Sequence, residues 1–169
     1  MTLADFVTLL RVGLTPAVML LWQSPNLSIR WLGVILFTVA GLTDFIDGRI
    51  ARASRTATKL GAYLDPLADK ILVLGAGLAL VAHHLLSFWL VFVILLRELS
   101  ITGLRSVLRA DVHMPASPVA KWKTTAQLVS LGASAVLRGW IPAVLWTVAI
   151  VLTIWTAVEY FRSHWGVID

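Results

Sequence analysis

Asp44-Phe45-Ile46-Asp47-Gly48-Arg49-Ile50-Ala51-Arg52 is followed, after eight residues, by Gly61-Ala62-Tyr63-Leu64-Asp65-Pro66-Leu67-Ala68-Asp69. Four carboxylates stand here at spacings of three, eighteen and four. Residues three or four apart share one face of a helix. Asp44 and Asp47 therefore project together from the end of one helix, and Gly61, Asp65 and Asp69 line one face of the next. The apolar runs on either side read as membrane helices, which places four acids at or inside the edge of a bilayer. An unpaired charge there costs about 2.5–3.5 kcal/mol even on lenient insertion scales. Divalent cations are the natural compensation, because hard ions take carboxylate oxygens. Two metals roughly 3.5–4 Å apart would clamp a reacting phosphate. Arg52, Arg55 and Lys59, between the acid pairs, suit a phosphate-bearing ligand. Gly48 and Gly61 let it approach the backbone. The competing reading is a set of solvated carboxylates that cap helices; it suits one acid alone better than all four together.

Composition agrees with a membrane setting. Of 169 residues, 59% are hydrophobic and only 14% charged, and the mean hydropathy is +0.86. A soluble domain of this length rarely reaches such values. At about 20 apolar residues per span, the chain has room for about six spans and little else. The expected fold is an all-α polytopic membrane protein: six transmembrane helices, a short interfacial helical start, and one domain over residues 1–169. The net charge of +5 is spread among hydrophobic helices. It suits anionic headgroups and phosphorylated substrates, not nucleic acid. With no cysteine, disulfides and thiolate metal sites are excluded. Asp5 precedes any basic residue and no small-residue cleavage site follows, so the N-terminus does not read as a signal peptide.

Taken in order, the first helix covers residues 2–23, and Pro16 is expected to kink it. Arg11, among apolar neighbours, either snorkels to the headgroups or faces the site. The second span runs from Ile29 to about Asp47, residues 53–60 form a polar connection, and the third span runs from near Gly61 to His83-His84. Gly75, Ala76, Gly77 and Ala79 offer a small-residue surface for close helix packing. Adjacent histidines diverge on a helix, so His83 and His84 read as interfacial residues. The fourth span, Ser87 to about Arg109, carries Arg97, Glu98 and Arg105, which cannot all face lipid cheaply. They form a buried pair that orients helices, or Arg105 binds phosphate. The fifth span follows Lys121-Trp122-Lys123-Thr124, whose cations and hydroxyl beside a helix start make an anion site or interfacial anchors. Ile141 to about Phe161 is the sixth span.

Of the 14 Lys and Arg residues, all but Arg30 and Arg138 fall on the side of the acid stretch. Cytoplasmic loops carry that excess, so the acids open to the cytoplasm. Trp22, Trp31, Trp89, Trp122, Trp140 and Trp165 lie near expected span ends, as an interfacial belt does.

The acid stretch resembles the signature of the CDP-alcohol phosphatidyltransferases, D-x-x-D-G-x-x-A-R, eight residues, G-x-x-x-D-x-x-x-D, at every position. Leu9–Pro16 is also similar to the family's N-terminal region. The resemblance implies transfer of a phosphatidyl group from CDP-diacylglycerol to an alcohol, with release of CMP. It implies metal ligation by Asp44, Asp47, Asp65 and Asp69, with Asp69 also the general base, and a nucleotide pocket shaped by Gly48, Ala51, Arg52 and Gly61. Mg²⁺ and Mn²⁺ suit carboxylates equally; two ions per site are expected. Within the family, Leu96-Arg97-Glu98, Leu104-Arg105 and Lys121–Gln127 look most like the bacterial phosphatidylglycerophosphate synthases, whose acceptor is glycerol 3-phosphate. Arg105, Lys121, Lys123, Thr124 and Arg11 would then bind the acceptor phosphate. The alternative within the family is cardiolipin synthesis or another acceptor alcohol. The resemblance further implies a homodimer in a bacterial inner membrane. A cation transporter would spread its acids over several helices near mid-bilayer, and a scaffold has no use for four acids.

Overall fold

The backbone of residues 3–54, 59–107 and 118–164 is described in the computed structural model, with side chains at 8–42, 64, 67–104, 119 and 121–163. Among the described residues there are six α-helices and no strand: α1 (Leu3–Trp22), α2 (Leu27–Ser54), α3 (Lys59–Ala82), α4 (Phe88–Val107), α5 (Pro118–Val136) and α6 (Trp140–His164). The shortest has 19 residues and so reaches roughly 28 Å at 1.5 Å per residue. That is close to the ~30 Å of a hydrocarbon core. Among the described residues, one segment, Trp140–Ser163 in α6, is both long and apolar enough to cross a membrane, and the described parts of α1 and α2 include the apolar segments Thr8–Trp22 and Leu27–Leu42. Charges stand within three of the other helices. Asp65, Asp69 and Lys70 interrupt α3, Arg97, Glu98 and Arg105 interrupt α4, and Lys121 and Lys123 interrupt α5.

One boundary differs from expectation in a way that matters. α2 does not stop at Asp47 but continues to Ser54, so the first acid pair lies within a helix rather than at its end. α1 runs through Pro16 as one helix within the expected residues 2–23.

The chain divides into two compact units. The first contains residues 1–86 and 131–137. Here α1 packs against both α2 and α3. Trp22, fully buried, lies on Phe37 with ring centroids 4.9 Å apart. The approach is possible because residue 33 is glycine: a Cβ there would sit 2.6 Å from Trp22 Cδ1. Gly75 does the same between α1 and α3, where a Cβ would meet Thr15 Cγ2 at 2.8 Å. The small-residue surface of the third helix is thus used inside the chain, with Ala76 and Ala79 buried beside it. Asn26 caps α2, its Oδ1 accepting from the Ser28 amide at 2.9 Å. Arg30, one of the two cations set apart by position, donates to the carbonyls of Ser24, Pro25 and Ala135. α3 closes with the amides of His84 and Leu85 donating to the carbonyls of Val81 and Leu80, and His84 sits at φ 56°. That is a Schellman cap with histidine in the left-handed position usually given to glycine. His83 and His84 are exposed.

The second unit contains residues 87–130 and 138–169. α4 packs on α6, and Val91, Ile94 and Ile101 of α4 and Trp146 and Ala149 of α6 are buried. Phe88, Trp89 and Phe92 form an aromatic group at the start of α4.

In both units the usual polarity is inverted. Large apolar side chains face outward, including Leu32, Ile35, Val39 and Leu42 along α2 and Val144, Val148, Val151 and Trp155 along α6. Thr8, Arg11, Thr15, Lys123, Gln127, Ser130, Thr153 and Thr156 are buried. Many hydroxyls donate to a carbonyl one turn back, as Thr38, Thr102, Ser130, Thr147 and Thr153 do. This satisfies each hydroxyl donor within its own helix.

Candidate functional site

The acid stretch occupies the later half of α2 and the first half of α3, both in the first unit. Helical backbone through Asp44 and Asp47, and through Asp65 and Asp69, puts each pair at the three- and four-residue spacing that shares a face. The side chains of Asp44, Asp47, Gly48, Ala51, Arg52, Gly61, Asp65 and Arg105 lie outside the described residues. Asp69 is described, and Arg11 of α1 meets it: Nη1 donates to Asp69 Oδ1 at 3.1 Å. The two partners differ sharply in exposure, with the arginine side chain at 2% and the aspartate at 48%. Arg11 Nε also donates to the Ala40 carbonyl of α2 at 3.1 Å. A guanidinium buried this deeply cannot be snorkelling to headgroups; it is held by protein acceptors, as a desolvated charge requires. Among the described residues no group of three or more His, Asp or Glu is placed to hold a metal; three of the four acids are not among them.

The second unit contains a separate polar cluster. Glu98 Oε1 on α4 accepts from Lys123 Nζ of α5 at 2.7 Å and from Arg97 Nη1 at 2.9 Å. Arg97 Nη2 reaches Thr156 Oγ1 of α6 at 3.4 Å. Gln127 Nε2 donates to Thr153 Oγ1 at 2.8 Å. One carboxylate thus joins two cations and ties α4 to α5, while the amide ties α5 to α6. The sequence paired Arg97 with Glu98 as one reading, and that contact is present. Lys123 as partner of Glu98, and Thr153 and Thr156 as partners from α6, were not anticipated. They lie 25 to 59 residues away in sequence from the groups they meet, so no local spacing announces them. Lys121 and Thr124 are exposed and Lys123 is buried, so the basic stretch at the start of α5 presents two different faces.

The comparisons cover nearly the whole chain. The CDP-alcohol phosphatidyltransferase family profile matches residues 1–155. A Haemophilus influenzae protein named CDP-diacylglycerol–glycerol-3-phosphate 3-phosphatidyltransferase is 33% identical over 95% of this chain and 92% of its own length. A Bacillus subtilis protein of the same name is 36% identical over 96% of this chain and 95% of its own. A third, from Rickettsia typhi, is 33% identical over 95% and 96%. With a signature complete at every position, helices that carry it, and relatives matched end to end, the chain belongs to the CDP-alcohol phosphatidyltransferase family.

Proposed function

We propose that this protein transfers the phosphatidyl group of CDP-diacylglycerol to glycerol 3-phosphate, giving phosphatidylglycerophosphate and CMP. The observation that carries the reading is the intact acid signature set on α2 and α3, in a chain whose matched relatives bear that activity in their names. The donor set fits a hard divalent ion: four carboxylates, in a chain without cysteine. Asp44, Asp47, Asp65 and Asp69 would hold Mg²⁺ or Mn²⁺, two ions per site. Bound there, such ions neutralise charge on the pyrophosphate and on the departing CMP phosphate. The protein's own groups do the rest. Gly48, Ala51, Arg52 and Gly61 shape the nucleotide pocket, and Asp69 takes the proton from the attacking glycerol hydroxyl. Arg105, Lys121 and Thr124 bind the acceptor phosphate, whereas Lys123, grouped with them by the sequence, is buried and turned onto Glu98.

The inverted polarity of the helices supports insertion of all six across the bilayer, because polar groups sit inside and leucine-rich faces outside. The distribution of Lys and Arg supports a cytoplasmic mouth in a bacterial inner membrane. The family match crosses both compact units, which supports one catalytic domain over residues 1–169. Assembly as a homodimer rests on the family resemblance.

The test is CMP release by purified protein in detergent with CDP-diacylglycerol and Mg²⁺, offering glycerol 3-phosphate, serine, inositol 1-phosphate and phosphatidylglycerol separately. Turnover with glycerol 3-phosphate alone is expected. Turnover only with phosphatidylglycerol or another alcohol keeps the family chemistry and overturns the acceptor assignment.

A further inference from the structure

The sequence groups Arg11 with the ligands of the acceptor phosphate, but its surroundings give it another task. Its guanidinium is a planar fork with donors in fixed directions. Two arms of that fork are committed to protein: Nε to the Ala40 carbonyl and Nη1 to Asp69 Oδ1, each at 3.1 Å. Ala40 stands one helical turn before Asp44 on α2, and Asp69 is the last acid on α3. One side chain from α1 therefore touches both helices that carry the acid stretch. The side chain is 2% exposed, whereas Asp69 is 48% exposed. The arginine is thus enclosed by protein and the carboxylate is presented outward.

We propose that Arg11 is a positioning residue: from α1 it fixes the orientation of the Asp69 carboxylate and its register against α2, and it does not bind the acceptor phosphate. This rests on the reading of Asp69 as the base. A phosphate ligand has to offer its donors to a soluble molecule, and a buried guanidinium turned onto a carbonyl and a carboxylate does not. The fork geometry makes lysine an informative replacement. Lysine keeps the charge, but a single ammonium on a flexible stem cannot reproduce two fixed N–H directions.

The test is steady-state CMP release by Arg11→Lys beside wild type, varying CDP-diacylglycerol and glycerol 3-phosphate in turn. Melting temperatures are recorded for Arg11→Lys, Asp69→Asn and the double variant. Groups that orient metal-site carboxylates typically cost 10–100-fold when replaced, so kcat is expected to fall by about that factor with the KM for glycerol 3-phosphate unchanged. The two substitutions should be non-additive in melting temperature. A raised KM for glycerol 3-phosphate at retained kcat, unchanged kinetics, or additive melting shifts would each overturn the proposal. Arg11→Gln gives the same kinetic comparison if Arg11→Lys does not fold. A wild type that releases no CMP with glycerol 3-phosphate indicts the functional reading instead, and the melting cycle still reports whether Arg11 acts through Asp69.

Discussion

Arg11 and Asp69 share one ion pair unequally, the cation enclosed and the anion presented, and the Glu98 pair follows a different logic. There both partners are withdrawn: Lys123 is 6% and Glu98 18% exposed. Removing Glu98 takes the shared carboxylate from both Lys123 and Arg97, and removing Lys123 leaves Glu98 its Arg97 contact; breaking a buried pair costs about 3–5 kcal/mol. Lys123→Met and Glu98→Gln should each lower the melting temperature substantially, while the double variant loses clearly less than the sum. Additive losses in detergent melts would show that the pair is not coupled. The acids of the signature were legible in sequence because their chemistry depends on short helical spacings. The Glu98–Lys123 contact was not, because it depends on how α4 and α5 pack, and the sequence showed only that charges in an apolar helix need some partner.

At the scale of elements, the helices themselves were legible as long apolar runs, and their ends were less so. α2 carries on past Asp47 because Gly48-Arg49-Ile50-Ala51-Arg52 holds no proline or second glycine to stop it. The close approaches are set by two glycines, and one of them decides a sign. At Gly33 an added methyl meets the fully buried Trp22 at 2.6 Å, and Trp22 is itself held against Phe37, the two rings tilted by 50°. Overpacking of this kind costs about 1–3 kcal/mol, more than the ~1 kcal/mol that alanine gains over glycine in a helix. Gly13 meets nothing within 4 Å. Gly33→Ala should therefore melt lower than wild type and Gly13→Ala at or above it. The reverse order would mean that the α1–α2 contact is looser than its geometry indicates.

For the whole molecule, the proposal of six spans draws its support from the outward apolar faces of the helices more than from their hydropathy. Charges within α3, α4 and α5 lower the average of segments whose exposed sides are still apolar. This polarity inversion could be anticipated from composition but not assigned residue by residue. The orientation makes a direct prediction, and the absence of native cysteine makes it clean to test. Cysteines placed singly at Ser24, Ser87 and Arg138 should react with a membrane-impermeant thiol reagent added to spheroplasts. Those placed at Thr56 or Ala116 should react only after lysis. Labelling of both sets from the same side would contradict the six-span arrangement.

On the proposed function, the acid stretch on α2 and α3 transfers a phosphatidyl group to glycerol 3-phosphate, and Asp69 is essential to the step. The most direct measurement is incorporation of radiolabelled glycerol 3-phosphate into extractable lipid by purified protein supplied with CDP-diacylglycerol and Mg²⁺, comparing wild type with Asp69→Asn. Lipid-soluble label and stoichiometric CMP are expected with wild type. Neither is expected with Asp69→Asn, although that variant should still bind CDP-diacylglycerol in part. Substantial incorporation by Asp69→Asn, or none by a wild type that retains nucleotide-lipid binding, would contradict the proposal.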